Sequence, residues 1–362
     1  MPEVRLVDLH KEYPGVIAVK NVSITFTTAT VTCLLGPSGC GKTTMMRIIA
    51  GLETPTAGDV FFDDDRITDL SARKRKIGMV FQYPVVYRNI SVYRNIELPL
   101  LEEKLSESER KKRIQQVIDI LGLEESVEKE ISQLDGGTRQ KVAIARTVAR
   151  QPAVILFDEP ITSVDAEAKV QLKRALKELT RQLRQTIIYV THDQTEAMTL
   201  ADQIALMKEG EIVQLDAPRK LYNRPNDVFG GWFLGNPGMN FFEHRIEGLD
   251  GGMGLKSPLF PRPLKISGIN GQERITVGIR PEHVRLGREP SKLAVAGKVR
   301  RKFIVVGGHY LVSVELADQI IKVKVDPVLG RQIEKDVWIE CPLKWITLFG
   351  PDGRRLKATL SV

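Results

Sequence analysis

Residues 31–52 read VTCLLGPSGCGKTTMMRIIAGL, and this stretch decides the fold. VTCLL is short and almost wholly apolar or β-branched, as expected of a strand buried on both faces. TTMMRIIAGL reads as a helix. Between them runs Gly36-Pro37-Ser38-Gly39-Cys40-Gly41-Lys42-Thr43-Thr44, which fits GxxxxGK followed by Ser or Thr in the right strand–loop–helix setting. Gly36, Gly39 and Gly41 let backbone N–H groups wrap around phosphate oxygens, and the helix start adds its positive end. Lys42 is expected to reach the β- and γ-phosphates, and the Thr43 hydroxyl to bind Mg²⁺.

Further strand-like runs occur at Ile77–Phe81 (IGMVF), Val154–Phe157 (VILF) and Ile187–Val190 (IIYV). Between the last two, Leu172, Leu176, Leu179 and Leu183 recur at helical spacing and read as core packing. Together these predict an α/β domain with a mainly parallel sheet over residues 1–235. Residues 88–150 differ. SESERKKRIQQVIDILGLEES is charged and helical in period, so a helical subdomain is inserted there. VILFDEP, Val154–Pro160, ends a buried strand in two acids at the mouth of the sheet, where phosphates sit in such folds. Asp158 suits Mg²⁺ held through water, and Glu159 suits polarising an attacking water.

These two motifs fit many phosphate-loop ATPases and kinases. Around them lie Gln82 after IGMVF, LDGGTRQ (Leu134–Gln140) opening a helix, TSVD (Thr162–Asp165), and His192 after IIYVT. In this order and spacing the first 235 residues or so resemble the ATP-binding cassette (ABC) family. The resemblance implies ATP and Mg²⁺ as cofactors and assigns roles by position. Gln82 would sense the γ-phosphate and Mg²⁺ while its loop touches a membrane subunit. Gly136 and Gly137 would present N–H groups to the nucleotide of an opposite subunit. Asp165 would communicate across the dimer, His192 would contact the γ-phosphate, and Tyr13 would stack on adenine. Catalysis would rest on Glu159, His192, Gln82 and Lys42.

One departure stands out. The family signature usually has Ser where this chain has Asp135, and Gln where it has Thr138. Asp caps a helix as well as Ser does, but the family serine faces the partner's γ-phosphate. Two like charges about 4 Å apart repel by roughly 4 kcal/mol at intermediate dielectric. Two readings follow: an asymmetric heterodimer in which LDGGT completes a weaker site, or a homodimer in which Asp135 turns into its own helix.

After Gly235 the texture changes to short strands, frequent glycine and close turn signals, as in GLDGGMG, ISGINGQERITVGIRPEHVRL and LFGPDGRR. This predicts a small all-β, OB-like barrel over residues 236–362. RKLYNRPNDVFGGWFLGNPGMNFFE and VGIRPEH (Val277–His283) resemble the tail and the regulatory (TOBE-type) barrel of maltose-type carbohydrate-uptake ATPases, which extends the likeness over nearly the whole chain. QYPVVYRNISVYRNIELPL (Gln82–Leu100) is closer in wording to glycerol and polyol importers. The partners implied are two transmembrane permease subunits, a second ABC ATPase and, indirectly, an extracytoplasmic substrate-binding protein.

Composition sets the outer bounds. The 362 residues are long enough for two cored domains, with 42% hydrophobic and 27% charged residues. The net charge of +8 suits nucleic acid or an anionic surface, yet no basic run interleaves with aromatics, so no nucleic-acid partner is expected. MPEVRLVDLHKEYPG lacks a signal peptide's basic patch and apolar region. Cys33, Cys40 and Cys341 show no CxxC spacing and suit a reduced compartment. The expected place is the cytoplasmic face of a bacterial inner membrane, held peripherally. A DNA-maintenance ABC ATPase would carry a long coiled-coil insertion or zinc motifs, and a translation-associated one normally carries two cassettes. A non-catalytic ATP-binding regulator stays open because of Asp135.

Overall fold

The computed structural model describes residues 2–183, 185–249, 252–269, 272–305 and 307–362. Asp250–Gly251 of the GLDGGMG turn and Asn270–Gly271 of the ISGINGQ turn lie outside them. Two compact units divide between Arg219 and Lys220, ahead of the Gly235 boundary expected from sequence.

The first unit begins with strands absent from the sequence reading. β1 (Val4–Tyr13) and β2 (Val16–Phe26) form an antiparallel hairpin closed where Tyr13 pairs Val16 across Pro14-Gly15. Val4, Leu6 and Leu9 are buried beneath it, opposite Val22, Ile24 and Phe26. β4 (Ala57–Phe62) and β5 (Asp65–Arg66) complete a four-stranded sheet in the order β2-β1-β4-β5.

The predicted parallel strands are present as β3 (Val31–Leu35), β6 (Gly78–Val80), β7 (Val154–Asp158) and β8 (Thr186–Thr191). β9 (Gln203–Lys208) joins β3 in parallel and β10 (Glu211–Asp216) closes the edge antiparallel, giving β10-β9-β3-β8-β7-β6. Every residue of β3, β7 and β8 is buried, which is why these read as unbroken apolar runs. α1 (Lys42–Ala50) follows β3 through the glycine-rich loop.

The helical insertion lies between β6 and β7, as predicted: α2 (Val92–Glu97), α3 (Glu107–Leu121) and α4 (Gly136–Val148). Ser91, Ser106 and Asp135 cap the three helices by accepting from the backbone N–H groups of Arg94, Glu109 and Thr138. After β7, α5 (Ala166–Gln182) buries Leu172, Leu176 and Leu179, whereas Leu183 falls just beyond its end as the cap. α6 (Gln194–Leu200) precedes β9.

The second unit is antiparallel β, with one sheet of six strands and one of five around a shared apolar core that includes Leu255, Val277, Ile279, Val312, Val323 and Ile339. This agrees with the expected OB-like barrel. VGIRPEH owes its form to Arg280, which is 1% exposed. Its guanidinium donates to the Tyr222 carbonyl (2.9 and 2.6 Å) and the Leu234 carbonyl (2.6 Å), and lies 3.6 Å from the centre of the Tyr222 ring. The Tyr222 hydroxyl in turn donates to Glu282. Burial, together with that carboxylate, pushes the phenol up to about 12. One cation thus fastens residues 222 and 234 to the barrel. Arg280→Leu would orphan both carbonyls and is expected to cost about 3–6 kcal/mol, since hydrogen bonds to charged groups are each worth about 1.5–3 kcal/mol. Chemical denaturation would show it as a lowered midpoint of the second unit's transition, and an unchanged midpoint would refute this role.

Candidate functional site

Parallel register assembles the site. Leu35 of β3 pairs Thr191 of β8, Val190 pairs Asp158 of β7, and Phe157 pairs Val80 of β6. One residue past each C-terminal end the chain therefore delivers, side by side, Gly36, His192, Glu159 and the Phe81–Gln82 turn. This sheet mouth is where the fold binds phosphates.

The phosphate loop is shaped by what surrounds it. A Cβ on Gly36 would sit 2.3 Å from the Met207 carbonyl oxygen. One on Gly41, which has φ +102°, would sit 2.1 Å from that of Ala18. Both positions therefore require glycine. Lys42 is 4% exposed, and its ammonium donates to the carbonyls of Gly36 and Pro37, both at 2.8 Å, with the Cys40 sulfur at 3.7 Å. Burial raises the Cys40 thiol above its usual pKa despite that ammonium. All three cysteines are free and buried. Ser38, Gly39 and Thr44 lie on the same loop and the first turn of α1.

Thr43 and Asp158 meet, the hydroxyl donating to Oδ1 at 3.3 Å. Asp158 is 8% exposed, and burial raises its carboxyl pKa, only partly offset by Thr43. A buried carboxylate so weakly compensated, beside a hydroxyl, fits a divalent cation that takes its other oxygens from phosphate. Among the described residues there is no group of three or more His, Cys, Asp or Glu that could hold a metal ion.

Glu159 takes a left-handed backbone, φ +45°, while its N–H donates to the Val190 carbonyl at 3.0 Å. For a non-glycine residue this is a strained conformation that its surroundings must impose. It presents Oε2 to the Thr162 hydroxyl (3.1 Å) and to His192 Nδ1 (3.0 Å). Against a carboxylate Nδ1 is the donor. Thr162 is a partner that the sequence reading included only within TSVD.

Tyr13 stands at the hairpin end, half-exposed, with the Lys11 ammonium 4.9 Å from its ring centre. Lys11 also donates to the Thr54 carbonyl and pairs with Glu53 at 2.7 Å. Those anchors are non-local contacts of a lysine and a glutamate that nothing local singles out. Ala18, against which Gly41 packs, lies on the strand facing Lys11 and Glu12. Tyr13 and the phosphate loop are thereby joined through β2.

The signature is built separately. Asp135 turns into its own helix: Oδ1 accepts the Thr138 N–H at 2.8 Å and Oδ2 the Thr138 hydroxyl at 2.7 Å. Burial raises its pKa, but the Thr138 hydroxyl and backbone N–H groups outweigh that and hold it below the usual value. A Cβ on Gly137 would sit 2.5 Å from Ala168 Cβ, whereas one on Gly136 would meet nothing within 4 Å. Asp135, Gly137, Thr138, Lys141, Asp165 and Ala168 line a cleft that includes no residue of 36–44.

A phosphate loop, an acid-ended strand and a separate glycine-started helix on an inserted helical subdomain define a phosphate-loop ATPase of the ATP-binding cassette class. Residues 19–162 match the ABC transporter family and residues 277–349 match the TOBE domain. The sulfoquinovosyl glycerol transport ATP-binding protein of Agrobacterium fabrum is 39% identical over 359 residues, 98% of this chain and 99% of its own. The maltose/maltodextrin import ATP-binding protein of Vibrio cholerae is 39% identical over 98% of this chain and 96% of its own. The sn-glycerol-3-phosphate import ATP-binding protein of Yersinia pestis is 39% identical over 76% and 77%. Among solved structures, cbiO1 of Clostridium perfringens, part of the ABC transporter complex cbiONQ, superposes with a TM-score of 0.56 at 29% identity, over 60% of this chain and 89% of that one. A dimeric ATP-binding cassette with ADP and Pi bound superposes with a TM-score of 0.53 at 33% identity, over 60% and 99%. The chain belongs to the ABC transporter family, as one of its ATP-binding and ATP-hydrolysing subunits.

Proposed function

We propose that this chain powers uptake of a carbohydrate or polyol, glycerol-like compounds included, as a peripheral subunit on the cytoplasmic face of a bacterial inner membrane. The substrate class rests on the names of relatives that match over nearly their full lengths. Among the described residues no helix is long and apolar enough to cross a membrane; passage of the substrate would fall to the permease subunits that import ATPases of this family serve. A groove lined by Met79, Phe81, Val85, Pro99, Arg146 and Thr147 is where a permease segment would dock, with Tyr83 and Tyr87 exposed.

The observation that carries the reading is the separation of two half-sites. Phosphate loop, Asp158, Glu159 and His192 gather at one sheet mouth, while Gly136 opens onto empty space at the head of α4. Neither φ nor internal packing requires glycine at Gly136, whereas close approach of another subunit's nucleotide would. Two cassettes therefore close on two ATP molecules, each covered by the other chain's signature. Thr43 and Asp158, with Gln82, would hold Mg²⁺, which supplies charge neutralisation at the phosphates. Lys42 binds the β- and γ-phosphates, Glu159 orients water and takes its proton, and His192 steadies the γ-phosphate. Tyr13 stacks on adenine. Co-purification from native membranes with mass identification of associated chains tests the assembly. Two permeases with one or two kinds of ATPase are expected, and recovery without any membrane protein would refute it.

A second reading turns on Asp135, whose carboxylate is held ionised by Thr138 and backbone N–H groups and would face the γ-phosphate of a partner. Its commitment to Thr138 removes any clash but not the charge. Asp135→Ser, which keeps the cap, is expected to raise the ATPase rate of the reconstituted complex about tenfold, since even a third of the ~4 kcal/mol repulsion amounts to that factor. An unchanged rate would show that LDGGT works as a normal signature.

A further inference from the structure

The segment after β6 is held by the helical subdomain, at three places. Gln140, on the second turn of α4, is 1% exposed, and its Nε2 donates to the Phe81 carbonyl at 3.0 Å. Two turns further along the same helix, Arg146 donates to the Val85 carbonyl at 2.8 Å and sits 4.5 Å from the Tyr87 ring centre. Asn95 of α2, wholly buried, accepts the Tyr87 N–H at 2.9 Å and donates to the carbonyls of Tyr87 (3.0 Å) and Ser91 (3.1 Å). The peptide that Gln140 grips is the one that leads into Gln82.

We infer that Gln140, supported by Arg146, is a positioning residue that ties the Gln82 loop to the signature helix. α4 starts at Gly136, on the surface offered to a partner's nucleotide, and rises about 1.5 Å per residue, so Gln140 lies only about 6 Å along the axis from that surface. A hydrogen-bonded helix moves as a body. Seating of the partner's nucleotide on the head of α4 therefore shifts the Phe81 carbonyl, and with it Gln82 of this chain's own site. Each site is set by the occupancy of the other through a path of one helix and one amide. This rests on the role proposed above for Gln82.

A double-mutant cycle in the assembled transporter tests it, because a residue acting only through Gln82 has no effect once Gln82 is gone. Gln140→Met keeps volume and removes the donor. It is expected to lower kcat about tenfold or more, as a misplaced catalytic group does, to leave KM for Mg·ATP within about twofold, and to reduce the cooperativity of ATP dependence. In the Gln82→Ala background the same change should do nothing further. Additive losses, or wild-type kcat and cooperativity in Gln140→Met, would overturn the proposal while leaving the transporter reading intact. Wild-type turnover in Gln82→Ala alone would overturn both the role of Gln82 and this inference. Should Gln140→Met fail to fold, Arg146→Met in the same cycle replaces it, with Arg146→Lys expected to restore the coupling.

Discussion

Replacing Glu159 by Gln is expected to abolish turnover of the assembled transporter while leaving ATP bound. The amide is isosteric and still accepts the Thr162 hydroxyl, so the strained turn at φ +45° need not relax. What it loses is the ability to take a proton from water. A positioned general base is worth about 10²–10⁴-fold, and a loss of that size is predicted in kcat, with little change in the affinity for nucleotide. Retained nucleotide after gel filtration, together with the steady-state rate, reads both quantities. Because closure persists until hydrolysis, the variant should hold ATP where the wild type holds ADP. Undiminished turnover would instead make a partner cassette the sole catalyst, with this chain as its regulator.

Lys42→Ala should act at the other end of the cycle. The ammonium is buried at the centre of the loop, where it now donates to the Gly36 and Pro37 carbonyls. In that low-dielectric setting a charge-assisted contact to phosphate is strong. Truncating one partner of a desolvated charge pair typically costs about 2–5 kcal/mol. Nucleotide binding should therefore weaken by at least about 30-fold, and ATP-driven uptake should fall to background. The fold should survive, because the loop's shape is set by the carbonyl contacts that demand Gly36 and Gly41 rather than by the lysine.

The strands that were legible in the sequence are those buried on both faces. VTCLL, VILF and IIYV match β3, β7 and β8 to within a residue at either end, because a sheet covered on both sides leaves no room for polar alternation. The hairpin of β1 and β2 was missed. VRLVDLHKEY buries residues unevenly, with register shifts at three points, so its period-two signal is blurred. The segment 218–233 looks helical and so reads as part of the α/β domain, yet Lys220 onward groups with the barrel. Arg280, sixty residues downstream, fastens it there by contacts that no local pattern records. For the site, Lys42, Thr43, Asp158 and Glu159 stand on strand ends and a helix start that local pattern marks, whereas His192 is singled out only through the family resemblance. Gln140 was not legible: within GGTRQKVAIAR it is an ordinary polar helix residue, and only the fold brings it against the Phe81 carbonyl.

Every step of the proposed cycle requires a triphosphate seated around Lys42. The direct test is calorimetric titration of Mg·ATP into the wild-type complex and into its Lys42→Ala counterpart, both carrying Glu159→Gln so that binding is read without turnover. Saturable binding in the first, weakened at least about 30-fold in the second, is predicted. Equal affinity in the two would contradict the assignment of the loop and the mechanism built on it.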